Sequence, residues 1–470
     1  MTRHVHFIGI AGIGMSATAL LMRQQGFEVT GSDEGFYPPA SELLPRFGIK
    51  VQTPHAAFNL PASADLIVIG KHAKLTMENK EVAAAYASGK PITSYPDVLA
   101  GIARERRSLV VVGSYGKSTS ASLLTWALAE AGRDPGYFVG AVPKNLGRNS
   151  TLGTAAEFVI EGDEYPSSNT DPRAKFLHYD ARYVLMTAAV HDHVNIFPTQ
   201  ADYEKPFQEL VSRMPKDGLL VVCKDESHAM HVANAAACPV VTYALVDTSA
   251  DYHLSNIVYG EVSRFTLVAR GKELGRFETS QLGAHNLQNM AGAAAMLLEL
   301  ALVSVADLQK GFASFLGVVR RMDKLSTHSA IPVYEGFGSS RDKARAAIDA
   351  IALHFPGRRM KVIFEPHTFS WRNRSTIHWY DDVFAGADEI FISAPPDHGA
   401  ESHDQVSYDE IAQRVAATGC KVSRLSKDNL RNVSDITGAL ASGDVVLVLT
   451  SGDLGGLIRQ LVDDMETRFV

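Results

Sequence analysis

A short glycine-rich segment carries the clearest chemical signal in the chain: Gly113-Ser114-Tyr115-Gly116-Lys117-Ser118-Thr119. It follows the valine-rich run Leu109–Val112 and precedes a helix that we expect to begin near Ser120. Glycines let backbone N–H groups turn inward around a phosphate, and the N-terminus of the following helix adds positive potential. Lys117 is suited to neutralising the β and γ phosphates of ATP, and the Ser118 hydroxyl to ligating Mg²⁺. The segment predicts a nucleotide-binding loop; a glycine-rich turn with an exposed lysine is the alternative.

Carboxylates and imidazoles follow two further apolar runs of the same part of the chain. Glu161-Gly162-Asp163-Glu164-Tyr165 comes after Phe158–Ile160, and His191-Asp192-His193 comes after Tyr183–Met186. Open α/β sheets bind ligands at the carboxyl ends of their strands, which favours a functional role for these side chains. Hard oxygen ligands with one imidazole suit Mg²⁺ or Mn²⁺, so Ser118, Glu164 and His193 form a candidate metal site. The alternative is a set of polar loop residues at strand ends.

A second glycine turn, Gly9-Ile10-Ala11-Gly12-Ile13-Gly14, follows the N-terminal apolar run. Asp33 stands nineteen residues beyond Gly14, which by itself suggests dinucleotide binding. The spacing, however, is G-x-x-G-x-G rather than G-x-G-x-x-G. Such a turn could bind any diphosphate, including that of a nucleotide sugar. A purely structural tight turn is the alternative.

Three blocks of alternating apolar runs and helical segments must position these residues. The alternation predicts an α/β protein with parallel sheets. A chain of 470 residues is too long for one ordinary core, and we place the domains at residues 1–107, 108–318 and 319–470. In the second block we also expect a hairpin-like region at about residues 252–280 and an apolar helix from Asn286 to about Val303.

Composition narrows the classes of function. The net charge of −7 gives no support to nucleic-acid binding, which usually shows as a basic domain. Three cysteines are too few and too scattered for a disulfide framework or a zinc site. No signal peptide precedes the first strand-like segment, and no stretch approaches the roughly 20 apolar residues that cross a bilayer. We therefore expect a cytoplasmic protein without a membrane partner.

Taken in order, the motifs of this chain resemble those of the Mur ligase family over nearly its whole length. They are Gly9–Met15, Gly113–Thr119, Glu161–Tyr165, Asp192-His193, Gly283-Ala284-His285-Asn286-Leu287-Gln288-Asn289 and Gly317-Val318-Val319-Arg320-Arg321. The resemblance implies a three-domain architecture: a Rossmann-like N-terminal domain for a UDP-sugar, a central P-loop ATPase domain and a C-terminal Rossmann-like α/β domain for an amine. It also implies a ligase that uses ATP and Mg²⁺ to activate a carboxylate as an acyl phosphate and then joins it to the amine.

The same resemblance implies roles for individual residues. The implied UDP-sugar site comprises Gly9, Gly12, Ile13, Gly14, Met15, Ser32 and Asp33. Lys117, Glu164 and His193 are the implied catalytic residues. The family pattern places His285, Asn286 and Asn289 on the adenine side of ATP. It also implies that Arg320 or Arg321 of the third domain faces the ATP phosphates.

Two stretches look most like one branch of the family, which joins the tripeptide L-Ala-γ-D-Glu-meso-diaminopimelate to UDP-N-acetylmuramate in peptidoglycan recycling. They are Gly31-Ser32-Asp33 leading to Tyr37-Pro38-Pro39, and Asp171–Tyr179. The stretches Phe364–His367 and Gly452–Gly455 also resemble the branch that uses L-alanine. The implied partners are UDP-N-acetylmuramate and a peptide or amino-acid amine.

The start of the third block departs from the family pattern. The family usually carries Asp-Asp-Phe/Tyr-Ala/Gly-His-His/Asn-Pro, whereas Glu335-Gly336-Phe337-Gly338-Ser339-Ser340-Arg341 lacks one carboxylate and both imidazoles. Further departures are Ser114, Tyr115, Pro166, Ala188 and Val190. Candidate contacts to the amine are Glu335, Ser339, Arg341, His367, Arg372 and Arg374.

Three interpretations of these departures stay open. The chain is a ligase for a different amine, or a protein that binds nucleotide with weakened catalysis, or, from its N-terminal glycines alone, a dinucleotide-dependent oxidoreductase. Lys117, Ser118, Glu164 and His193 are all retained, which favours an active ligase.

Overall fold

The structure is a computed structural model that describes residues 3–37, 40–193, 196–396 and 404–469. By their contacts the residues form two compact units. The first unit comprises residues 1–256, 265–278 and 285–316, and the second comprises residues 257–264, 279–284 and 317–470. Pro38 and Pro39, which belong to one of the distinctive stretches, lie outside the described residues. Within the described ranges no helix is long and apolar enough to span a bilayer.

The first unit begins with a five-stranded parallel sheet in the order 3-2-1-4-5. Its strands are β1 (His4–Ile8), β2 (Glu28–Ser32), β3 (Lys50–Gln52), β4 (Leu66–Ile69) and β5 (Ile92–Thr93). Its helices are α1 (Ile13–Gln24), α2 (Ala40–Arg46), α3 (Lys80–Ala87) and α4 (Tyr95–Arg104). The strand order reverses between β1 and β4, and a crevice for a ligand is expected at the carboxyl ends of such a pair.

A ten-stranded sheet follows in the order 15-14-13-12-11-10-6-9-7-8. Its strands are β6 (Arg107–Val112), β7 (Gly136–Phe138), β8 (Ser150–Thr151), β9 (Glu157–Glu161), β10 (Tyr183–Met186), β11 (Leu219–Cys223), β12 (Val240–Ala244), β13 (Tyr252–Val258), β14 (Ser263–Ala269) and β15 (Lys272–Thr279). Its helices are α5 (Lys117–Glu130), α6 (Gln200–Arg213), α7 (Ser227–Ala233), α8 (Ala284–Glu299) and α9 (Val305–Ser314). Strand β6 leads into the glycine-rich segment Gly113–Thr119, which we call the phosphate loop. The strand lies between β10 and β9 and runs parallel to both.

The second unit is built on a six-stranded sheet in the order 16-17-21-18-19-20. Its strands are β16 (Asp323–Lys324), β17 (Val333–Phe337), β18 (Arg359–Phe364), β19 (Glu389–Ile392), β20 (Lys421–Arg424) and β21 (Asp444–Thr450). Its helices are α10 (Arg341–His354), α11 (Phe369–Arg372), α12 (Tyr408–Ala417), α13 (Asn429–Gly438) and α14 (Leu457–Arg468). All neighbouring strands are parallel except β16 and β17.

Helices α1 and α4 pack against the ten-stranded sheet in one hydrophobic core. Ala17 and Leu21 of α1 and Leu99 of α4 are buried in one cluster with Val110 of β6. Ser150 Oγ in the ten-stranded sheet also donates to the carbonyl of Ala17 at 3.0 Å. Burial of apolar surface at this junction explains why the N-terminal and central segments form one compact unit.

The predicted α/β class with parallel sheets is confirmed, although some element bounds differ: the apolar helix predicted from Asn286 to about Val303 is α8, Ala284–Glu299. We expected the helix after the phosphate loop near Ser120, but α5 begins at Lys117, directly after Gly116 in the left-handed region at φ +78°. Strand β1 likewise ends at Ile8 because Gly9 has φ +86°. The predicted boundaries at residues 107 and 318 stay predictions.

Candidate active site

The glycines of the phosphate loop occupy positions that no other residue fits. Gly113 has φ +139° and Gly116 has φ +78°, conformations that side-chain-bearing residues rarely adopt. A Cβ on Gly113 would lie 2.2 Å from Thr187 Oγ1, and one on Gly116 would lie 2.6 Å from Asn289 Oδ1. The loop is therefore packed against the end of β10 and against α8, and the Ser114 N–H donates to the Ala188 carbonyl at 3.2 Å.

The other residues of the loop are held by neighbouring segments. Ser114 Oγ accepts a hydrogen bond from the Val190 backbone N–H at 3.1 Å, which pairs two of the departures from the family pattern. The Tyr115 hydroxyl donates to Glu226 at the start of α7. Thr119 lies buried in the first turn of α5. These contacts hold the loop against its neighbouring segments.

Lys117, Glu164 and His193 are brought together beside the loop. Lys117 Nζ lies 2.9 Å from Glu164 Oε2 and also donates to the carbonyl of Gly113. The buried Glu164 carboxylate accepts from the Tyr203 hydroxyl at 2.9 Å and lies 3.3 Å from His193 Nε2. Burial would raise the pKa of Glu164, but the hydrogen bond from His193 and the charge of Lys117 lower it to about 2. The carboxylate is therefore ionised at neutral pH.

Ser118 contacts a carboxylate that the sequence analysis did not place in the site. Its Oγ donates to Glu161 Oε1 at 2.9 Å, and Glu161 Oε2 accepts from the Gly140 backbone N–H at 2.7 Å. The metal site inferred from the sequence joined Ser118 to Glu164 and His193 instead. Glu161 is the last residue of β9, and a carboxylate at the carboxyl end of a buried strand was the signal that pointed to it.

The side chains around the loop suit a magnesium ion whose remaining ligands would be phosphate oxygens of the nucleotide and water. The described ranges hold no group of three or more His, Cys, Asp or Glu side chains that could cage a metal alone. Mg²⁺ usually keeps several waters and binds through one or two carboxylates plus phosphate oxygens. Ser118, Glu161 and Glu164 supply hard oxygen atoms of that kind. The hydrogen bond to Glu164 raises the pKa of His193, whose Nδ1 lies 3.0 Å from the Tyr165 hydroxyl.

Helix α8 brings the predicted adenine-side residues to the same loop. Asn286 and Asn289 are buried, and Asn289 Nδ2 donates to Asn286 Oδ1 at 3.4 Å. Asn289 is also the residue that a Cβ on Gly116 would strike. His285 is exposed one position before Asn286. Asn289, in the second turn of α8, therefore borders the phosphate loop, and the adenine-side role of these residues stays a prediction.

A cleft of about 850 Å³ opens at the carboxyl ends of β1 and β4. Among the predicted UDP-sugar residues, those that line it are Gly9, Gly12, Gly14, Met15 and Asp33. Asp33 Oδ2 accepts from the backbone N–H of Ala11 at 2.8 Å, which ties the end of β2 to the glycine turn. A Cβ on Gly14 would lie 2.9 Å from the Tyr95 ring, so this glycine is required for close packing.

Two predicted UDP-sugar residues lie outside the lining of this cleft. Ile13 begins α1 with 55% of its surface exposed. Ser32 is fully buried, and its Oγ lies 2.9 Å from Nδ1 of His55, which does line the cleft. Ser32 therefore supports the wall of the cleft through His55 rather than forming it.

Residues that were not predicted from the sequence line the rest of the cleft. Besides the loop Lys71–Leu75 after β4, Tyr165, Asn169 and Lys175 line it from the central segment. Asn169 Nδ2 donates to the carbonyls of His72 at 2.9 Å and Leu75 at 2.8 Å, which joins the two segments. Tyr165 lines the cleft and also contacts His193, so it connects the cleft with the phosphate site.

In the second unit, a polar group forms at the carboxyl ends of β17, β18 and β21. Arg320 Nη2 donates to the Gly452 carbonyl at 3.2 Å, and Arg320 Nε lies 3.7 Å from Glu335 Oε1. A Cβ on Gly452 would lie 2.7 Å from Glu365 Oε2 and 2.9 Å from His367 Nδ1. Burial raises the pKa of Glu335, and the Arg320 charge opposes that rise. This polar group therefore contains three predicted site residues, Glu335, His367 and Arg320, together with Glu365.

The remaining amine-site candidates have other contacts. Arg341 pairs with Asp382 and Asp342, and Arg374 pairs with Asp404 and Glu410. Arg372 is buried and donates to the Pro396 carbonyl at 2.9 Å, and the Ser339 carbonyl accepts from Thr368 Oγ1 at 3.0 Å. Arg321, which was predicted to face the ATP phosphates, is exposed, and its backbone N–H donates to the Val318 carbonyl at 3.1 Å.

Two family models match this sequence: the Mur ligase family catalytic domain over residues 4–107 and the Mur ligase middle domain over residues 111–297. The UDP-N-acetylmuramate–L-alanine ligase of Desulfosudis oleivorans is 30% identical, with 98% of each chain covered. The chain belongs to the Mur ligase family. This Mur ligase is also 29% identical to the UDP-N-acetylmuramate–L-alanyl-γ-D-glutamyl-meso-2,6-diaminoheptandioate ligase of Escherichia coli, again over 98% of each chain.

The fold of this Mur ligase agrees with a solved structure as well. The UDP-N-acetylmuramate–alanine ligase of Thermotoga maritima superposes with a TM-score of 0.77 at 21% identity and covers 99% of each chain. The predicted family and three-domain architecture are confirmed. The chain is an ATP-dependent ligase that joins a carboxylate to an amine, and the oxidoreductase interpretation is set aside.

Proposed function

We propose that this Mur ligase joins the tripeptide L-Ala-γ-D-Glu-meso-diaminopimelate to UDP-N-acetylmuramate through an acyl phosphate, with ATP and Mg²⁺. The position of Tyr165 is the observation that carries the proposal. Its ring lines the glycine-turn cleft, and its hydroxyl lies 3.0 Å from His193 Nδ1 in the Lys117–Glu164 group. A sugar acid that occupies the cleft therefore has its reactive end next to the phosphate loop.

The residues around the loop suit phosphoryl transfer to a carboxylate. That reaction brings two anions together, so positive charge must stabilise its transition state. Lys117 supplies a fixed ammonium, which Glu164 Oε2 holds at 2.9 Å. Ser118, Glu161 and Glu164 are the residues that would hold Mg²⁺, and the ion when bound would add further positive charge.

The polar group of the second unit suits the incoming amine. Glu335 and Glu365 offer carboxylates that could receive an ammonium, and Arg320 and His367 lie beside them. The departures at Ser339, Ser340 and Arg341 fall at the end of the same strand β17. The amine site therefore differs chemically from that of the usual family pattern, although it retains a carboxylate.

Two observations bear on which amine is used. The Escherichia coli relative is named for the tripeptide, and both stretches that resemble that branch contribute to the cleft through Asp33, Tyr37 and Lys175. L-Alanine is the second candidate, because the relative with 30% identity is named for it. The stretch with Glu365 and His367, which resembles the L-alanine branch, lies in the polar group of the second unit.

Phosphate release from ATP tests the proposal. The purified chain is given UDP-N-acetylmuramate, ATP and Mg²⁺ with the tripeptide, L-alanine or other amino acids in turn. We expect release with the tripeptide and a blank when UDP-N-acetylglucosamine, which lacks the carboxylate, replaces the sugar acid. Release with L-alanine alone selects the second candidate. A well-folded chain that releases no phosphate with any amine contradicts an active ligase.

A further inference from the structure

We infer that Lys71 recognises the carboxylate of the sugar acid and holds it at the edge of Tyr165 beside the phosphate loop. The inference rests on the proposed function, because it names the residue that would distinguish a UDP-sugar acid from a neutral UDP-sugar. Lys71 follows Gly70 directly after β4, where the strand order of the first sheet reverses. Neither the glycine turn nor the phosphate loop includes it.

The Lys71 ammonium has one aromatic neighbour, Tyr165, and one cationic neighbour, Lys175. Its Nζ lies 5.7 Å from the centroid of the Tyr165 ring, and Lys175 Nζ lies 5.7 Å from the same centroid. Lys175 also lies 5.6 Å from the centroid of the Tyr95 ring, which packs against Gly14 of the glycine turn. Two ammonium groups therefore flank the part of the cleft between the glycine turn and Tyr165.

The two lysines differ in how their charge is balanced. Lys175 forms an ion pair with Asp163, so its charge is already compensated. Among the described residues, no carboxylate stands within salt-bridge distance of Lys71. Burial in the cleft and the Lys175 charge lower the pKa of Lys71, and the Asp163 charge only partly offsets them. An anionic group of the ligand would supply the missing partner.

The structure also ties this ammonium to the reaction centre. Asn169 holds the loop after Lys71 through the carbonyls of His72 and Leu75. Tyr165 lies next to both lysines, and its ring contacts His193 edge-on with centroids 4.4 Å apart. His193 contacts Glu164, and Glu164 contacts Lys117. Tyr165 therefore links the Lys71 ammonium to the side chains that surround the phosphate loop.

Binding of two UDP-sugars to three variants tests the inference. UDP-N-acetylmuramate carries the carboxylate and UDP-N-acetylglucosamine does not, so their affinities isolate its contribution. We expect Lys71→Met to weaken binding of UDP-N-acetylmuramate by about tenfold, the size expected for a partly desolvated ion pair. Binding of UDP-N-acetylglucosamine should stay within about twofold of the unsubstituted chain, because the variant removes no contact to the shared UDP group.

Two variants serve as controls, and both leave the fold of the cleft in place. Lys80→Met removes an exposed lysine at the start of α3, outside the lining of the cleft, and it should leave both affinities unchanged. Lys71→Arg keeps the charge and should retain the preference for the sugar acid. Equal weakening of both ligands by Lys71→Met would assign the lysine to the diphosphate and overturn the inference, as would an unchanged preference. Failure of the unsubstituted chain to bind either UDP-sugar would overturn the proposed function itself.

Discussion

Ser118 Oγ lies 2.9 Å from Glu161 Oε1, so the hydroxyl assigned to Mg²⁺ is already paired with a carboxylate at the end of β9. The hydroxyl begins the first turn of α5, and the carboxylate closes the neighbouring strand. A cation between the loop and a nucleotide would be within reach of both oxygen atoms. The pair therefore gives Glu161 a place in the phosphate site that the family motifs alone did not indicate.

Glu161→Gln should raise the Mg²⁺ concentration needed for half-maximal phosphate release by about tenfold, because it removes one anionic oxygen from the ion's surroundings. The amide oxygen can still accept from the Gly140 N–H while the amide NH2 donates to Ser118 Oγ, so the fold should be retained. Magnesium titrations of activity measure the effect. Glu209→Gln, which alters an exposed carboxylate paired with Arg213 on α6, is the matched control. An unchanged magnesium dependence would place Glu161 outside the metal site.

Lys117→Ala should lower kcat by at least about 100-fold, since a fixed donor to a developing charge is typically worth that much. Binding of UDP-N-acetylmuramate, followed by calorimetry, should change by less than about twofold because the cleft does not include Lys117. Lys205→Ala, on the exposed face of α6, is the control for loss of a lysine. A parallel collapse of UDP-sugar affinity would show that the two ligands do not occupy separate sites.

Gly452→Ala should raise KM for the amine by about tenfold or more and leave KM for ATP within about twofold. The new Cβ would crowd Glu365 Oε2 at 2.7 Å and His367 Nδ1 at 2.9 Å, which displaces the proposed amine-binding group. Gly438→Ala is the control, because a Cβ at that position in α13 meets nothing within 4 Å. If Gly452→Ala alters only KM for ATP, the polar group of the second unit serves the nucleotide instead.

Glu81→Gln should lower the free energy of unfolding at pH 7 by on the order of 2 kcal/mol. Burial would raise the pKa of Glu81, but hydrogen bonds from His55 and His6 lower it to about 2 from 4.5. A carboxylate with a lowered pKa stabilises the fold above its unfolded pKa near 4.5, and that contribution is lost as pH falls toward 2.

Urea unfolding of the original chain and of Glu81→Gln between pH 7 and pH 3 measures this effect. The difference between the two proteins should be largest above pH 5 and should shrink below pH 4.5. Glu42→Gln, which alters an exposed carboxylate in the first turn of α2, provides the control. A difference that grows as the pH falls would contradict the proposed ionised state of Glu81.

Local sequence patterns predicted the strands well where an apolar run is buried on both faces. The predicted run Tyr183–Met186 has the same bounds as β10, and Leu109–Val112 forms all but the first two residues of β6. The phosphate loop was likewise recognisable, because its glycines are dictated by local backbone geometry.

Contacts between distant segments were not predictable from such patterns. Lys71 acquires its surroundings from Tyr165 and Lys175, which lie about a hundred residues away and reach it only through the fold. Arg341 and Arg374 were chosen as amine contacts for their charge, yet their partners are nearby surface carboxylates. Side-chain charge indicates what a residue can bind, whereas the tertiary structure decides which partner is within reach.

The pairing of β6 with β9 aligns Val111 with Glu161, so the strand leading to the phosphate loop is in register with the strand carrying the carboxylates. Successive residues of a strand point to opposite faces of a sheet. Deletion of a single residue within β9 would turn Glu161 toward the other face and draw Glu164 back along the strand. Length changes in this short strand should therefore be far less tolerated than substitutions of its apolar residues.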